Sequence, residues 1–301
     1  MLGGPNTIVV VGPGAMGLMH AAYLARHGLD VALLDYRPDR AKRLEASGIR
    51  LEGEAGDWQI RLPCRAQADC GPAGLVIVFV KAYATRAAAE HARPLIGPET
   101  TLLTLQNGLG NLETLQEFQD ATRVLAGTTS SGATLLAEGH VRVAAVGQIV
   151  VGGTGAEALA GVLSAAGLPA TTTDGVQAVL WRKAVVNSAI NPLTALTGLR
   201  NGQLLEVPAL HSLLRQVARE SAEVGRELGH ELCPATMPDE VEEICRLTAN
   251  NRSSMLQDLS AGRRTEVDHI SGAIAEAARG IGLSAPLNAT LAALVRAASP
   301  R

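Results

Sequence analysis

The sequence predicts an α/β fold for the first half of the chain and an all-helical fold for the second half. Two observations carry this prediction. A β-branched run and a glycine-rich loop open a series of alternating apolar strands and helical segments, and the periodicity becomes almost entirely helical after residue 175. At 301 residues, the chain also exceeds the length at which a single core usually stops growing. We therefore expect two domains, residues 1–174 and 175–301, divided at the turn Thr171–Gly175.

A phosphate-binding loop is predicted between the first strand and the first helix. Residues Thr7–Val11 form the β-branched strand, and residues 15–27 have helical spacing. The loop between them reads Gly12-Pro13-Gly14-Ala15-Met16-Gly17. In this context Gly12 permits a tight turn, Gly14 lets the backbone approach a pyrophosphate, and Gly17 lets the helix pack on the sheet. The first half is therefore predicted to be a Rossmann-type dinucleotide-binding domain.

The end of the second predicted strand, Val31–Leu34, carries charges that bear on the choice of cofactor. Asp35 would accept hydrogen bonds from an adenosine ribose diol and repel a 2′-phosphate, which favours NAD. Arg37 and Arg40 could instead hold a 2′-phosphate through charge-assisted hydrogen bonds, which favours NADP, or they could simply begin a solvated helix. These residues leave both cofactors open.

Two further predicted strands end in polar residues at the sheet edge where open α/β proteins bind ligands. Lys81 follows the apolar strand of residues 74–80, and Asn107 lies in the turn after the strand of residues 102–105. Asn107 either contacts the cofactor or simply makes the turn. From residue 123 to residue 151, short β-rich pieces predict a meander that completes the sheet with antiparallel additions.

Polar side chains recur every four residues in the apolar helical segment 176–196. Lys183 and Asn187 share one helix face, while Asn191 precedes Pro192 and is expected at a kink or a helix end. The pattern indicates either a functional face or a solvated stripe.

A second polar segment covers residues 250–268. Thr265 and Asp268 resemble a capping box that would start a helix and place Glu266 in its first turn. An acidic residue there interacts favourably with the helix dipole, so a structural role for Glu266 and a functional role both remain open.

Composition and charge argue against several classes of protein. The net charge is −3, and the chain has only two Trp, three Tyr and two Phe. These features do not indicate a nucleic-acid-binding surface. The first apolar run is too short for a membrane span and lacks the basic region of a signal peptide, so we expect a cytoplasmic protein. No residue cluster predicts a metal site. The Ala- and Leu-rich second half could form a homodimer, although core packing explains the same pattern.

The cysteines match no zinc or redox pair, and nothing indicates a secreted disulfide framework. We expect buried, reduced thiols at Cys64, Cys70, Cys233 and Cys245.

Five motifs in the same order resemble the ketopantoate reductase family, also called the 2-dehydropantoate 2-reductases, and the resemblance covers nearly the whole chain. Besides the glycine loop and Lys81, they are Gln106-Asn107-Gly108-Leu109-Gly110, Trp181-x-Lys183-x-x-x-Asn187, Ile190-Asn191-Pro192-Leu193-Thr194-Ala195-Leu196, Ser253-Ser254-Met255-Leu256-Gln257-Asp258 and Thr265-Glu266-Val267-Asp268.

This resemblance implies a Rossmann domain, a helical C-terminal domain, an active site between them, and NADPH-dependent reduction of 2-dehydropantoate to (R)-pantoate in pantothenate biosynthesis. It implies that Lys183 donates the proton and that Glu266 lies near the cofactor and the reacting centre. The implied substrate-binding residues are Asn187, Asn191, Asn201 and Ser254. The implied cofactor contacts are Gly12 to Gly17, Lys81, Asn107 and Ala133. Because family members that use NADPH typically carry a basic residue where this chain has Asp35, NAD stays an alternative.

Two other functions remain possible on the sequence. A paralogue acting on another 2-keto acid, such as a mandelate-type D-2-hydroxyacid dehydrogenase, would share the glycine loop and the lysine. A non-catalytic dinucleotide-binding sensor would keep the loop but would not need Lys183, Asn187, Ser254 and Glu266 together.

Overall fold

The computed structural model describes residues 4–68 and 71–299. The strands are β1 (Gly4–Val11), β2 (Val31–Leu34), β3 (Ile49–Gly53), β4 (Trp58–Ile60), β5 (Cys64–Arg65), β6 (Ala73–Val78), β7 (Thr101–Thr104), β8 (Val124–Thr129), β9 (Gly132–Ala137), β10 (His140–Ala145), β11 (Ile149–Gly152) and β12 (Ala170–Thr172). The α-helices are α1 (Ala15–Arg26), α2 (Pro38–Ser47), α3 (Thr85–His91), α4 (Asn111–Gln116), α5 (Ala156–Ala165), α6 (Val176–Thr197), α7 (Gln203–Glu206), α8 (Pro208–Glu227), α9 (Met237–Leu247), α10 (Ser254–Ser260), α11 (Ser271–Gly280) and α12 (Pro286–Ala298).

The main sheet has eight strands in the order β12-β11-β8-β7-β6-β1-β2-β5. Neighbouring strands are parallel except β8 and β11, which are antiparallel. Residues Val31–Leu34 of β2 are all buried, as expected for a strand covered on both faces. The predicted α/β class with a Rossmann-type sheet is confirmed, and the carboxyl ends of β1, β2 and β6 lie at one edge.

The segment after β8 departs from the predicted meander. β8 and β11 join the main sheet, whereas β9 and β10 belong with β3 and β4 to a second sheet of order β4-β3-β10-β9, in which β10 pairs with β3. Buried and exposed positions alternate in β3 and β10, and the buried Leu51, Val141 and Val143 share a core with Leu18 of α1. The prediction of one sheet is therefore wrong, because these strands bury a single face and that face packs on α1.

The residues after β12 are helical, as predicted. The first of these helices, α6, continues through Pro192 to Thr197, so Asn191 lies inside a continuous helix and not at a helix end. Residues 188–195 are all buried. Burial of this stretch therefore stabilises the helix despite the backbone donor that Pro192 lacks.

The chain divides into two compact units. The first unit contains both sheets, runs to Gln106 and resumes over Asn111–Val176, and the second contains Asn107–Gly110 and the residues from Gln177 onward. The short segment Asn107–Gly110 packs on the turn before α11. There the Leu109 backbone N–H donates to the His269 carbonyl oxygen at 2.8 Å. Gly108 has a φ of +87°, and a Cβ at this position would lie 2.8 Å from the same oxygen.

The cysteines differ in their surroundings. Cys64 and Cys245 are buried, and burial raises the pKa of each thiol to about 12. Cys233 is exposed in the loop between α8 and α9, so the expectation of a buried thiol is wrong there. Cys70 lies outside the described residues.

None of the described helices combines the length and the apolar character that a membrane crossing requires.

Candidate active site

The glycine loop connects β1 to α1 at the carboxyl edge of the main sheet. Gly12 has a φ of +98°, and a Cβ there would lie 2.8 Å from the Val80 backbone nitrogen. A Cβ on Gly17 would overlap the carbonyl oxygen of Gly12. Both positions therefore require glycine for the turn itself and for the close approach of α1 to the sheet.

Gly14 differs from these two glycines. It is the residue before α1, its backbone is extended, and a Cβ built there would meet no atom within 4 Å. The first turn of α1 carries no acidic residue, and no side chain caps the helix. Open space beside uncapped backbone amides fits the pyrophosphate of a dinucleotide, and Gly12, Gly14 and Gly17 are the residues that would hold it.

The remaining predicted cofactor residues are distributed over several elements. Lys81 is half-buried and directly precedes a 3₁₀ turn, Ala82–Ala84. Ala133 is half-buried in β9, opposite Val143 of β10. Asn107 is also half-buried but belongs to the second unit.

Asp35 follows β2 and forms an ion pair with Arg40 of α2. Both nitrogens Nε and Nη2 of Arg40 donate to the carboxylate, the latter to Oδ1 at 2.6 Å, and the Arg37 backbone N–H donates to Oδ1 at 3.1 Å. The Asp35 side chain is 0% exposed, while the Arg40 side chain is 22% exposed. Arg37 is exposed. In this arrangement the guanidinium, and not the carboxylate, is accessible to a ligand.

In the second unit, Lys183 of α6 and Glu266 interact. Lys183 is half-buried, and Glu266 is buried. Burial lowers the pKa of Lys183 to about 8, and the negative charge of Glu266 acts in the opposite direction and raises it. An ammonium group with a pKa of about 8 is well matched to proton donation near neutral pH.

Glu266 lies just before a 3₁₀ turn, Val267–His269, and α11 begins at Ser271. The predicted helix start at Thr265 is therefore wrong, because Ile270 has a non-helical backbone, with φ −111° and ψ −92°. The acidic side chain is not in the first turn of an α-helix, so the helix-dipole interpretation of Glu266 does not apply.

Two predicted substrate-binding asparagines have buried amide atoms that make no hydrogen bond to any described residue. These atoms are Nδ2 of Asn187, one turn after Lys183 on α6, and Oδ1 of Asn201. The Nδ2 of Asn201 donates to Oγ1 of Thr248 at 2.9 Å, which fixes the orientation of the amide. Because an unsatisfied buried polar atom is costly, Asn187 offers a donor and Asn201 an acceptor to a ligand.

The other two predicted substrate-binding residues are placed differently. Asn191 is buried within α6, so the alternative of a solvated stripe is not observed at this position. Ser254 is the first residue of α10 and is exposed. The structure therefore brings Lys183 and Glu266 together, with Asn187 one turn away, and leaves Ser254 at the surface of the unit.

Sequence reasoning missed the residues that hold α10. Ser253 Oγ accepts a hydrogen bond from the Leu256 backbone N–H at 3.1 Å and another from Thr194 Oγ1 of α6 at 2.7 Å. Ser253 is thus the N-cap of α10 and connects it to α6. A serine directly before a helical segment is a common N-cap and was the signal available in the sequence.

Comparisons with known proteins cover nearly the whole chain. The family model described as ketopantoate reductase PanE/ApbA matches residues 8–155, and its C-terminal counterpart matches residues 175–299. The 2-dehydropantoate 2-reductase of Archaeoglobus fulgidus is 37% identical over 297 residues, covering 96% of each chain. That of Halobacterium salinarum is 36% identical over 300 residues, covering 97% of this chain and 98% of its own.

Solved structures agree with these sequence matches. A PanE/ApbA family ketopantoate reductase from Ralstonia eutropha superposes with a TM-score of 0.90 at 32% identity, covering 97% of this chain and 98% of its own. A D-mandelate dehydrogenase bound to NADH and anilino(oxo)acetate superposes with a TM-score of 0.92 at 26% identity and the same coverage. On these matches the chain belongs to the ketopantoate reductase family and is a nicotinamide-dependent oxidoreductase.

Proposed function

We propose that this enzyme reduces 2-dehydropantoate to (R)-pantoate, a step of pantothenate biosynthesis. The observation that carries the proposal is the interaction of Glu266 with Lys183, whose pKa is about 8, in a helical unit where Asn187 and Asn201 present unpartnered amide atoms. Relatives that are 36–37% identical and named for this reaction support it. In this proposal residues 1–174 hold the cofactor, and residues 175–301 hold the substrate.

A bound reduced nicotinamide supplies the hydride for the ketone carbon. As negative charge develops on the ketone oxygen, the Lys183 ammonium stabilises that oxygen and then donates its proton. Burial lowers the pKa of Lys183, and the negative charge of Glu266 raises it. Glu266 therefore keeps a larger fraction of the lysine protonated at a given pH. These two residues thus provide a proton at the position where the reaction consumes one.

The asparagines account for selection of the substrate. The Asn187 Nδ2 group can donate to a carboxylate oxygen of a 2-keto acid, and Asn201 Oδ1 can accept from a hydroxyl group. 2-Dehydropantoate carries both groups, since its chain ends in a hydroxymethyl. The exposed Ser254 hydroxyl adds a further polar contact at the start of α10.

A second candidate is reduction of an aromatic 2-keto acid. The superposition with D-mandelate dehydrogenase favours it. Phenylglyoxylate, however, has no distal hydroxyl group for the Asn201 oxygen, and a site built to bind a hydroxyl disfavours a substrate that lacks one.

Initial rates for both 2-keto acids, each with NADPH and with NADH, test the proposal. We expect kcat/KM for 2-dehydropantoate to exceed that for phenylglyoxylate by at least about 100-fold. A higher value for phenylglyoxylate would assign the enzyme to the mandelate-type reaction. Dinucleotide binding without turnover of any 2-keto acid would favour a sensor.

A further inference from the structure

The carboxyl end of β2 contains a buried charge whose partner is not buried. The carboxylate of Asp35 has no exposed surface, and it accepts hydrogen bonds from Arg40 and from the Arg37 backbone. A ribose diol could reach this carboxylate if Arg40 moved away, at the cost of breaking a bidentate charge-assisted pair.

We infer that Arg40 is the residue that selects the 2′-phosphate of NADP, and that Asp35 is a positioning residue for Arg40 instead of an acceptor for the ribose of NAD. The inference rests on the proposed dinucleotide site of the first unit. It reverses the usual meaning of an acidic residue at the end of this strand.

Charge supports the inference. An unpaired carboxylate at this position would repel a phosphate, but the Asp35–Arg40 pair has no net charge. Arg37, whose exposed side chain lies next in sequence to Tyr36, adds a positive charge at the same end of β2. The pair and Arg37 together therefore present net positive charge to an approaching 2′-phosphate.

The geometry of the guanidinium supports it as well. Arginine has five N–H groups, and Asp35 engages the Nε and Nη2 side of Arg40. The described contacts leave the N–H groups of Nη1 without a partner, in a side chain that is 22% exposed. The Arg40 guanidinium carbon also lies 5.9 Å from the centre of the Tyr36 ring, which is 72% exposed. Asp35 thus holds the guanidinium in one orientation with donors remaining for a phosphate.

Calorimetric binding of NADP⁺ and NAD⁺, which differ in the 2′-phosphate, tests this assignment without any 2-keto acid. For the wild-type enzyme we expect tighter binding of NADP⁺. In Arg40→Met the ratio of the two affinities should fall by about 10- to 100-fold, because a charge-assisted hydrogen bond is lost and the Asp35 carboxylate is left unpaired. Lys42→Met is the matched control, since Lys42 is exposed on the same helix and its loss removes the same charge.

Two further variants separate selection from positioning. Arg40→Lys keeps the charge but not the bidentate geometry, so its NADP⁺ to NAD⁺ affinity ratio should lie between those of the wild type and Arg40→Met. If Arg40→Met fails to fold, Arg40→Lys replaces it as the test of Arg40. Asp35→Asn should lower the NADP⁺ to NAD⁺ affinity ratio, since the guanidinium is no longer fixed. In an Arg40→Met background the same Asp35 change should instead raise the ratio, since it removes a carboxylate that no longer has a partner and repels the phosphate.

Three results would overturn the inference. They are tighter binding of NAD⁺ by the wild-type enzyme, an unchanged ratio in Arg40→Met, and a raised ratio in Asp35→Asn, which would mean that Asp35 repels the phosphate. Failure of the wild-type enzyme to bind either dinucleotide would overturn the dinucleotide site itself, and with it the proposed function.

Discussion

The Glu266 carboxylate raises the pKa of Lys183, against a burial effect that is larger and lowers that pKa to about 8. In the proposed mechanism the protonated lysine is the active form for reduction, so kcat/KM should be constant well below pH 8 and fall above it. Glu266→Gln removes the opposing charge, which lowers the pKa of Lys183 further and moves the falling limb to lower pH. Rates measured from pH 6 to pH 10 check this, and a limb that stays in place would exclude Glu266 as the partner of Lys183.

Loss of Lys183 should affect chemistry far more than cofactor binding. We expect Lys183→Ala to lower the turnover of 2-dehydropantoate by about 10²- to 10⁴-fold, the usual contribution of a positioned general acid, with an NADP⁺ affinity close to wild type. The adjacent Arg182→Ala is the control, because Arg182 is exposed and forms an ion pair with Glu240 at 2.6 Å. Near-normal turnover in Lys183→Ala would remove the lysine from the mechanism.

Asn187 should matter to the substrate and not to folding. Its Nδ2 atom is buried without a partner among the described residues, so Asn187→Ala should leave the free energy of unfolding unchanged or raise it. The same change should reduce kcat/KM by about 10- to 100-fold, as expected for a hydrogen bond to a charged group.

The neighbouring Ser188 is expected to behave in the opposite way. Its Oγ donates to the Val185 carbonyl oxygen at 2.9 Å and lies 2.9 Å from the Ser221 hydroxyl. Ser188→Ala should therefore lower stability and retain kcat/KM. If both variants lost stability and kept activity, Asn187 would be a structural residue.

Two alanine substitutions in the glycine loop should have different effects. Gly17→Ala places a methyl group against the Gly12 carbonyl and should destabilise the protein by about 1–3 kcal/mol. Gly14→Ala meets open space in the protein, so Tm should not change, while overlap with the dinucleotide should weaken NADP⁺ binding by about 5- to 100-fold. Thermal unfolding and calorimetry separate these effects. Wild-type NADP⁺ affinity in Gly14→Ala would contradict the placement of the pyrophosphate.

Glu242 should make the free energy of unfolding depend on pH. Burial pushes the pKa of this α9 carboxyl upward, but hydrogen bonds from His211 and Arg215 outweigh it and hold the pKa at about 2, below a usual value of 4.5. A lowered pKa stabilises the folded state above pH 4.5, and this stabilisation is lost as the pH falls toward 2.

Glu242→Gln should therefore reduce the free energy of unfolding by about 2 kcal/mol at pH 7, and the difference should vanish near pH 2. Urea unfolding at several pH values measures it. Glu243→Gln is the control, since Glu243 is exposed and contacts Arg246 at 3.3 Å. An equal loss in both variants at every pH would mean that the lowered pKa has no effect on stability.

The sequence predicted the elements whose signals are local. The predicted strand Val31–Leu34 and the helical segment 15–27 agree with β2 and α1, because an apolar strand and helical spacing depend on nearby residues alone. The positions of β9 and β10 could not be predicted in this way. β10 pairs with β3, which lies far away in the chain, and no local pattern specifies such a pairing.

The same distinction applies to the candidate site. The spacing of Lys183 and Asn187 on one helix face was readable from the sequence. The pairing of Asp35 with Arg40 was not, since the sequence shows two opposite charges but not which of them is buried. The tolerance of α6 for Pro192 also depends on tertiary packing, which overrides the local preference.

The attachment of Leu109 to His269 limits how this chain can be recombined. A helical cassette cut at residue 175 and fused to another dinucleotide-binding domain would leave behind its own segment Asn107–Gly110. The turn that carries Glu266 would then lose a backbone hydrogen bond and its packing against Gly108. A functional chimera therefore has to take two separate segments from this chain. One is the helical part after residue 175, and the other is the four residues Asn107–Gly110 from within the first half of the sequence.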